Sequence, residues 1–171
     1  EWGAELTSPP AAQGDVSDAV LAEALALFGL APSDMSQDMP ACRIHAGADH
    51  LALPLRRRED LASMRYDQDA GATFMRREGF VTVALFVTEG TGTVHIRNPF
   101  ASGGVYEDPA TGAAAAALTA GFRDGFGRTE PVTLYQGDDM GVPSRIEAQA
   151  LPGEGAPVRV RGLTRHLPDP D

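Results

Sequence analysis

Ala113-Ala114-Ala115-Ala116-Ala117-Leu118-Thr119-Ala120 is apolar on every helical face and built almost entirely from small side chains. A helix that is apolar all round has to be surrounded, and small side chains let neighbouring backbones come close. The segment therefore reads as a central helix wrapped by a sheet. Strand patterns on both sides supply the wrapping. Residues 80–88 (FVTVALFVT) form the clearest strand, apolar and rich in Val and Phe. Glu89-Gly90-Thr91-Gly92 is a turn, and residues 93–97 return as its hairpin partner. Beyond the helix, residues 132–136, 145–150 and 158–163 read as three more strands. Ile146, Ala148 and Ala150 alternate with polar residues, as an antiparallel strand with one buried face does.

Toward the other end, Ser17 is placed as an N-cap. Val20, Leu21, Ala24, Leu25 and Phe28 follow at helical spacing, and Gly29 stops the run. This predicts an amphipathic helix packed on a sheet. Residues 42–45 and 51–55 read as short strands split by Gly47, and residues 56–66 as a short helix. Residues 1–16 have no period and two adjacent prolines, and are expected to be an extended lead-in or linker. The domain is then a single unit over 17–171, without internal repeats. The order is α+β, mostly antiparallel strands around one buried helix. No βαβ alternation is apparent, which argues against a Rossmann fold.

The whole chain is 171 residues, the size of one domain. A net charge of -10 argues against a nucleic-acid partner, because phosphate binding needs clustered cations. All basic side chains apart from histidine are arginine, so a Schiff-base lysine and a P-loop lysine are excluded. The single cysteine, Cys42, excludes any mechanism that takes two thiols from one chain. It sits in an apolar strand as a small core residue. No apolar run approaches ~20 residues, and no basic-then-apolar leader opens the chain. The expectation is a cytoplasmic protein with no membrane partner.

Chemistry concentrates in Glu107-Asp108-Pro109-Ala110-Thr111-Gly112-Ala113. Pro109 suits the first turn of a helix. Thr111 and Gly112 then fall where backbone amides are unpaired and the helix dipole is positive. Such a terminus binds carboxylate or phosphate. Asp108 beside it is either an acid or base acting next to that anion, or a plain helix cap. His45, Asp49 and His50 are close in sequence, but their spacing fits no common metal site, and no metal is expected. His95 is read as a solvent-face strand residue. Arg56-Arg57-Arg58 is read as a solvated helix start.

Two separated motifs carry a family resemblance. Phe100-Ala101, Gly104-Val105 and Glu107 through Gly112 come first. Gln136-Gly137-Asp138-Asp139-Met140-Gly141-Val142-Pro143-Ser144 follows a helix and a strand later. Together they resemble the PhzF-like (phenazine-biosynthesis-type) isomerase/epimerase family, which reads roughly FAP..G..EDPATGSA and then QG..MGRPS. The stretch 47–55 resembles the family's glycine-then-VPL strand. The resemblance covers nearly the whole chain but only the C-terminal half of a family member.

It implies a diaminopimelate epimerase-like half, with a sheet wrapped around a central helix. It also implies cofactor-independent proton transfer on a small carboxylate substrate, in a cleft between two halves. Asp108 matches the cleft aspartate, the catalytic candidate. Thr111, Gly112, Ala113 and Ala114 match the helix start that holds substrate. The second motif is expected to be mostly a structural turn. The family's acid/base glutamate belongs to a GNP-type motif of the other half, and this sequence holds no such motif. Ala113 stands where the family has serine, and Ala115 where the phenazine enzyme often has histidine. The expected partner is therefore a complementary N-terminal half or, through the same open face, a second copy in a homodimer. The alternative is a non-catalytic module that binds small carboxylates or dimerises.

Overall fold

In a computed structural model, the all-round apolar segment forms helix α4 (Gly112–Phe126), in which every residue from Ala114 to Arg123 is buried. The structure describes residues 2–164, with side-chain environments from 3 to 163. The strands are β1 (Trp2–Thr7), β2 (Ala12–Gly14), β3 (Cys42–His45), β4 (Asp49–Pro54), β5 (Thr82–Glu89), β6 (Thr93–Pro99), β7 (Glu107–Asp108), β8 (Val132–Gln136), β9 (Ser144–Ala150) and β10 (Val158–Thr164). They make one curled sheet in the order β1-β10-β9-β8-β6-β5-β4-β3-β2, with β7 pairing the end of β6. Helix α4 packs on β9 and β10 from one side and on β2 and β3 from the other. The sheet therefore wraps it as the sequence predicts.

Alternation along each strand separates two cores. Ile44, Ala52, Phe86, Val94, Ile96, Leu134, Ile146 and Ala148 face α4. Leu51, Leu53, Val83, Leu85 and Val87 face the opposite way, under the outer helices. These are α1 (Asp18–Phe28), α2 (Arg58–Ala62) and α3 (Gln68–Glu78). Helix α1 starts and stops as expected, with Ser17 accepting from the Val20 amide and Gly29 left-handed. Helix α2 covers only five residues of the predicted 56–66. Helix α3 lies outside the elements that the sequence predicts, although its ends carry ordinary signals. Asp67 accepts from the Ala70 amide, and Gly79 adopts the left-handed stop.

Two expectations need correction. The stretch 1–16 is not a lead-in. β1 pairs with β10 and β2 with β3, so this segment reaches both edges of the curled sheet. Between them, the Ser8 amide bonds Val158 O and the Ala11 amide bonds Gly155 O, each at 2.9 Å. Pro9 and Pro10 form the corner where the chain crosses from one edge to the other, which is why no strand period shows there. Gly47 is required under that corner: its φ is +94°, and a Cβ there would lie 2.9 Å from Pro9 Cγ.

The second correction concerns βαβ units. β4 and β5 are parallel across α2 and α3, and β6 and β8 are parallel across α4. The other pairings are antiparallel, so the sheet remains mixed α+β and not doubly wound. Among the described residues, no helix is long and apolar enough to cross a membrane.

Candidate active site

Helix α4 begins at Gly112 with Thr111 as its N-cap residue. Pro109 is therefore outside the helix and not in its first turn. The amides of Gly112, Ala113 and Ala114 have no carbonyl a turn earlier to bond. The first that finds one is Ala115, at 3.0 Å from Thr111 O. Gly112 is half-buried and Ala113 exposed, so this rim of the helix is open.

Asp108 does not cap the helix. Its Oδ2 accepts from Thr111 Oγ1 at 2.6 Å. Both are held by Gln136, which is buried at the end of β8. Gln136 Oε1 accepts the Thr111 amide at 3.0 Å, and Nε2 donates to Asp108 O at 2.6 Å and Thr111 Oγ1 at 2.9 Å. A backbone N–H can only donate, so the amide orientation is fixed. The Thr111 hydroxyl, already accepting from Nε2, is left to donate to Asp108. The second sequence motif thus braces the first. Ser144 Oγ adds a bond to Pro109 O at 2.8 Å. Gly137 has φ +81°, and a Cβ there would lie 2.2 Å from Val142 O.

Glu107 is fixed from the other face of the same two-residue strand. It forms a bidentate pair with Arg97, Nε to Oε1 at 2.9 Å and Nη2 to Oε2 at 2.5 Å. The carboxylate beside it holds the Arg97 guanidinium firmly protonated. Arg58 is not merely solvated, since its Nη2 reaches Asp139 at 3.0 Å and ties α2 to the second motif.

Cross-strand partners of an antiparallel pair share a face. Asn98 pairs with Asp108, and Pro99 with Glu107. Asp108 therefore lies on the inner face with Asn98, opposite the Arg97–Glu107 pair. By strand alternation, five strands turn a polar side chain inward at this end: His50, Thr82, Asn98, Gln136 and Ser144. Sequence reasoning missed three of these. The signal for His50 and Asn98 is that each is the polar end of an otherwise apolar inward set.

His50 is separated from its sequence neighbours. His45 and Asp49 pair across β3 and β4 at 3.2 Å, while His50 is fully buried and bonds Thr82 Oγ1 through Nδ1 at 2.8 Å. Among the described residues, no three His, Cys, Asp or Glu side chains gather as metal ligands. Cys42 is a core residue whose thiol is pushed up to about 11, first by burial and then by Asp15. His95 stacks on Tyr135 at 5.5 Å.

Burial lowers the His50 imidazole to about 4. The native state therefore prefers it neutral, while the unfolded chain takes up a proton below the ordinary histidine value. Stability from this group is full above about 6.5, falls as pH drops toward about 4, and the loss totals roughly 3 kcal/mol. Urea midpoints from pH 7.5 to 4.5 should fall more steeply for the native chain than for His50→Gln. Parallel slopes would contradict this account.

The sequence matches the family model of phenazine biosynthesis-like proteins over residues 3–164. No curated protein matches it. A PhzF-family phenazine biosynthesis protein from Bacillus anthracis superposes with TM-score 0.80 at 15% identity, covering 94% of this chain and 57% of that one. A predicted epimerase from Pseudomonas aeruginosa superposes with TM-score 0.75 at 29% identity, covering 94% and 55%. A PhzF-family protein from Enterococcus faecalis gives 0.68 at 17%, covering 94% and 54%. The likenesses at 15% and 17% speak for the fold. The chain spans a little over half the length of these structures.

Proposed function

We infer the function from one premise: the chain belongs to the phenazine biosynthesis-like protein family. We propose that it is the C-terminal, diaminopimelate epimerase-like half of an isomerase or epimerase. Its likeness to a predicted epimerase at 29% identity supports that class. The substrate is a small carboxylate, held by the helix-start amides of Gly112, Ala113 and Ala114, the first two on the open rim and Ala114 buried behind them. Asp108 moves a proton at the carbon beside that carboxylate, and Thr111 orients Asp108. The observation that carries the reading is the Asp108–Thr111 bond at the mouth of α4, next to amides with no partner in their own helix. Proton transfer of this kind needs neither metal nor cofactor. A complementary N-terminal half supplies the second acid/base group, and the chain is cytoplasmic.

A second reading rests on Ala113. An alanine offers the substrate no side-chain donor where the family has serine, which fits a carboxylate-binding module without chemistry, alone or as a homodimer. Acetate titrated into the ¹⁵N-labelled chain should move the amides of Gly112, Ala113 and Ala114. The isolated chain should incorporate no solvent deuterium into small carboxylates, and exchange should appear when the complementary half is added. Asp108→Asn should keep acetate binding and lower that exchange by about 10²–10⁴-fold. Binding without exchange in the presence of both halves favours the module. Exchange by the chain alone overturns the two-half reading.

A further inference from the structure

The inner polar layer contains a hydrogen-bond chain that the proposed chemistry does not use. His50, Thr82 and Asn98 come from three adjacent strands, and all are buried. His50 Nδ1 lies 2.8 Å from Thr82 Oγ1, and Thr82 Oγ1 donates to Asn98 Oδ1 at 3.1 Å. Since the hydroxyl proton goes to Asn98, His50 Nδ1 is the donor in the first bond. A neutral imidazole, which burial favours, then has Nε2 as a bare acceptor. Both ends of the chain are unsatisfied: His50 Nε2 and Asn98 Nδ2 are buried without a partner among the described residues. An unpartnered buried donor is costly, and native structures keep one where it serves a water, a ligand or a mechanism.

The Asn98 end faces a particular group. Asn98 and Asp108 are register partners on one face, so their Cβ atoms are about 5 Å apart. Only one Asp108 oxygen, Oδ2, is taken by Thr111. We propose that Asn98 is a positioning residue for Asp108. The His50–Thr82 chain locks its amide so that the spare Nδ2 donor serves the Asp108 carboxylate through one bound water. Asp108 is then held from two sides, by Thr111 along the helix mouth and by Asn98 from the barrel interior. This rests on the reading of Asp108 as the working carboxylate, but its test does not need substrate.

The test follows the Asn98 side-chain amide protons by NMR from pH 7 to pH 3 in the 171-residue chain. Three ionisable groups stand near: Asp108 on the same face, His50 two bonds along the chain, and Glu107 on the opposite face with Arg97. The Asn98 protons should move with the Asp108 titration, and Asp108→Asn should remove that movement. Thr82→Val, which keeps the shape but deletes the hydroxyl, should also abolish it, whereas Thr82→Ser should restore it. A merely structural Asn98 would show the same pH response in native chain and Asp108→Asn, and that result overturns the proposal. Should Thr82→Val fail to fold, the native and Asp108→Asn pair still decides. Loss of acetate binding at Gly112–Ala114 with the Asn98 response intact would sink the functional reading and leave this one standing.

Discussion

Replacing Arg97 with methionine is expected to destabilise the chain by about 3–5 kcal/mol, because it strands the Glu107 carboxylate in the interior. Arg97 and Glu107 are each only 7% exposed. Their pairing is not the whole of what the guanidinium does. Nη1 also donates to the carbonyls of Leu61, Ala62 and Met64, at 3.3, 2.9 and 3.3 Å. Leu61 and Ala62 close α2 and Met64 lies just beyond it, so the guanidinium gathers the helix end and the chain that leaves it. The two functions separate in a double variant. Arg97→Met with Glu107→Leu removes the buried charge and should recover roughly 1–3 kcal/mol of the loss, the α2 carbonyls remaining unserved. Urea denaturation of native, single and double variants measures both parts. A cost below about 1 kcal/mol for the single change would mean that water reaches Glu107 and the pair is not a brace. The neighbouring loop is held independently, since the Tyr66 amide donates to Tyr106 Oη at 2.9 Å and the two rings stack at 4.5 Å. The damage should therefore centre on Glu107, Asp108 and α2.

The features legible in the sequence were those in which one short pattern has one physical reading. Eight small or apolar residues from Ala113 to Ala120 can be a helix only if something surrounds them, and the curled sheet does. Strand β5 and its return in β6 follow from a continuous Val- and Phe-rich apolar run and a glycine turn. The N-terminal strands were illegible because their partners, β10 and β3, are far away in sequence. Pairing gives β1 and β2 their conformation, and the two prolines between them masked the local pattern. Helix α3 was readable through Asp67 and Gly79, but its polar first turn dilutes the apolar spacing. At the site, the sequence places Asp108 and Thr111 in one short motif, and the structure joins them by a hydrogen bond, while the interior wall stays hidden in the sequence. His50, Thr82 and Asn98 sit on three strands, and nothing local says that their inward faces converge at the α4 terminus. Only the register of the parallel β4–β5 pair and the antiparallel β5–β6 pair does so.

Gln136→Leu is expected to cost about 4 kcal/mol and to disorganise the mouth of α4, although the side chain it introduces is similar in size. Gln136 is 1% exposed. Its loss leaves the Thr111 amide without an acceptor and Asp108 O without a donor, each worth about 1–3 kcal/mol when buried. Thr111 Oγ1 loses one of its two partners and keeps only its bond to Asp108. The diagnostic companion is Gln136→Glu. One carboxyl oxygen can still accept the Thr111 amide. When ionised, the second oxygen opposes Asp108 O and draws the Thr111 hydroxyl proton away from Asp108. When protonated, it donates to Asp108 O and restores most of the native arrangement. Burial favours the protonated form, so the variant's carboxyl lies above its unfolded value, and the native state releases its proton later than the unfolded chain as pH rises. Its stability, taken as a difference from the native chain at each pH, should therefore be best near pH 4.5 and fall toward pH 7. Gln136→Leu, having no titrating group, should show a deficit independent of pH. If both variants lost stability equally across that range, Gln136 would be filling space, and the two motifs would owe their alignment to Ser144 and Gly137 instead.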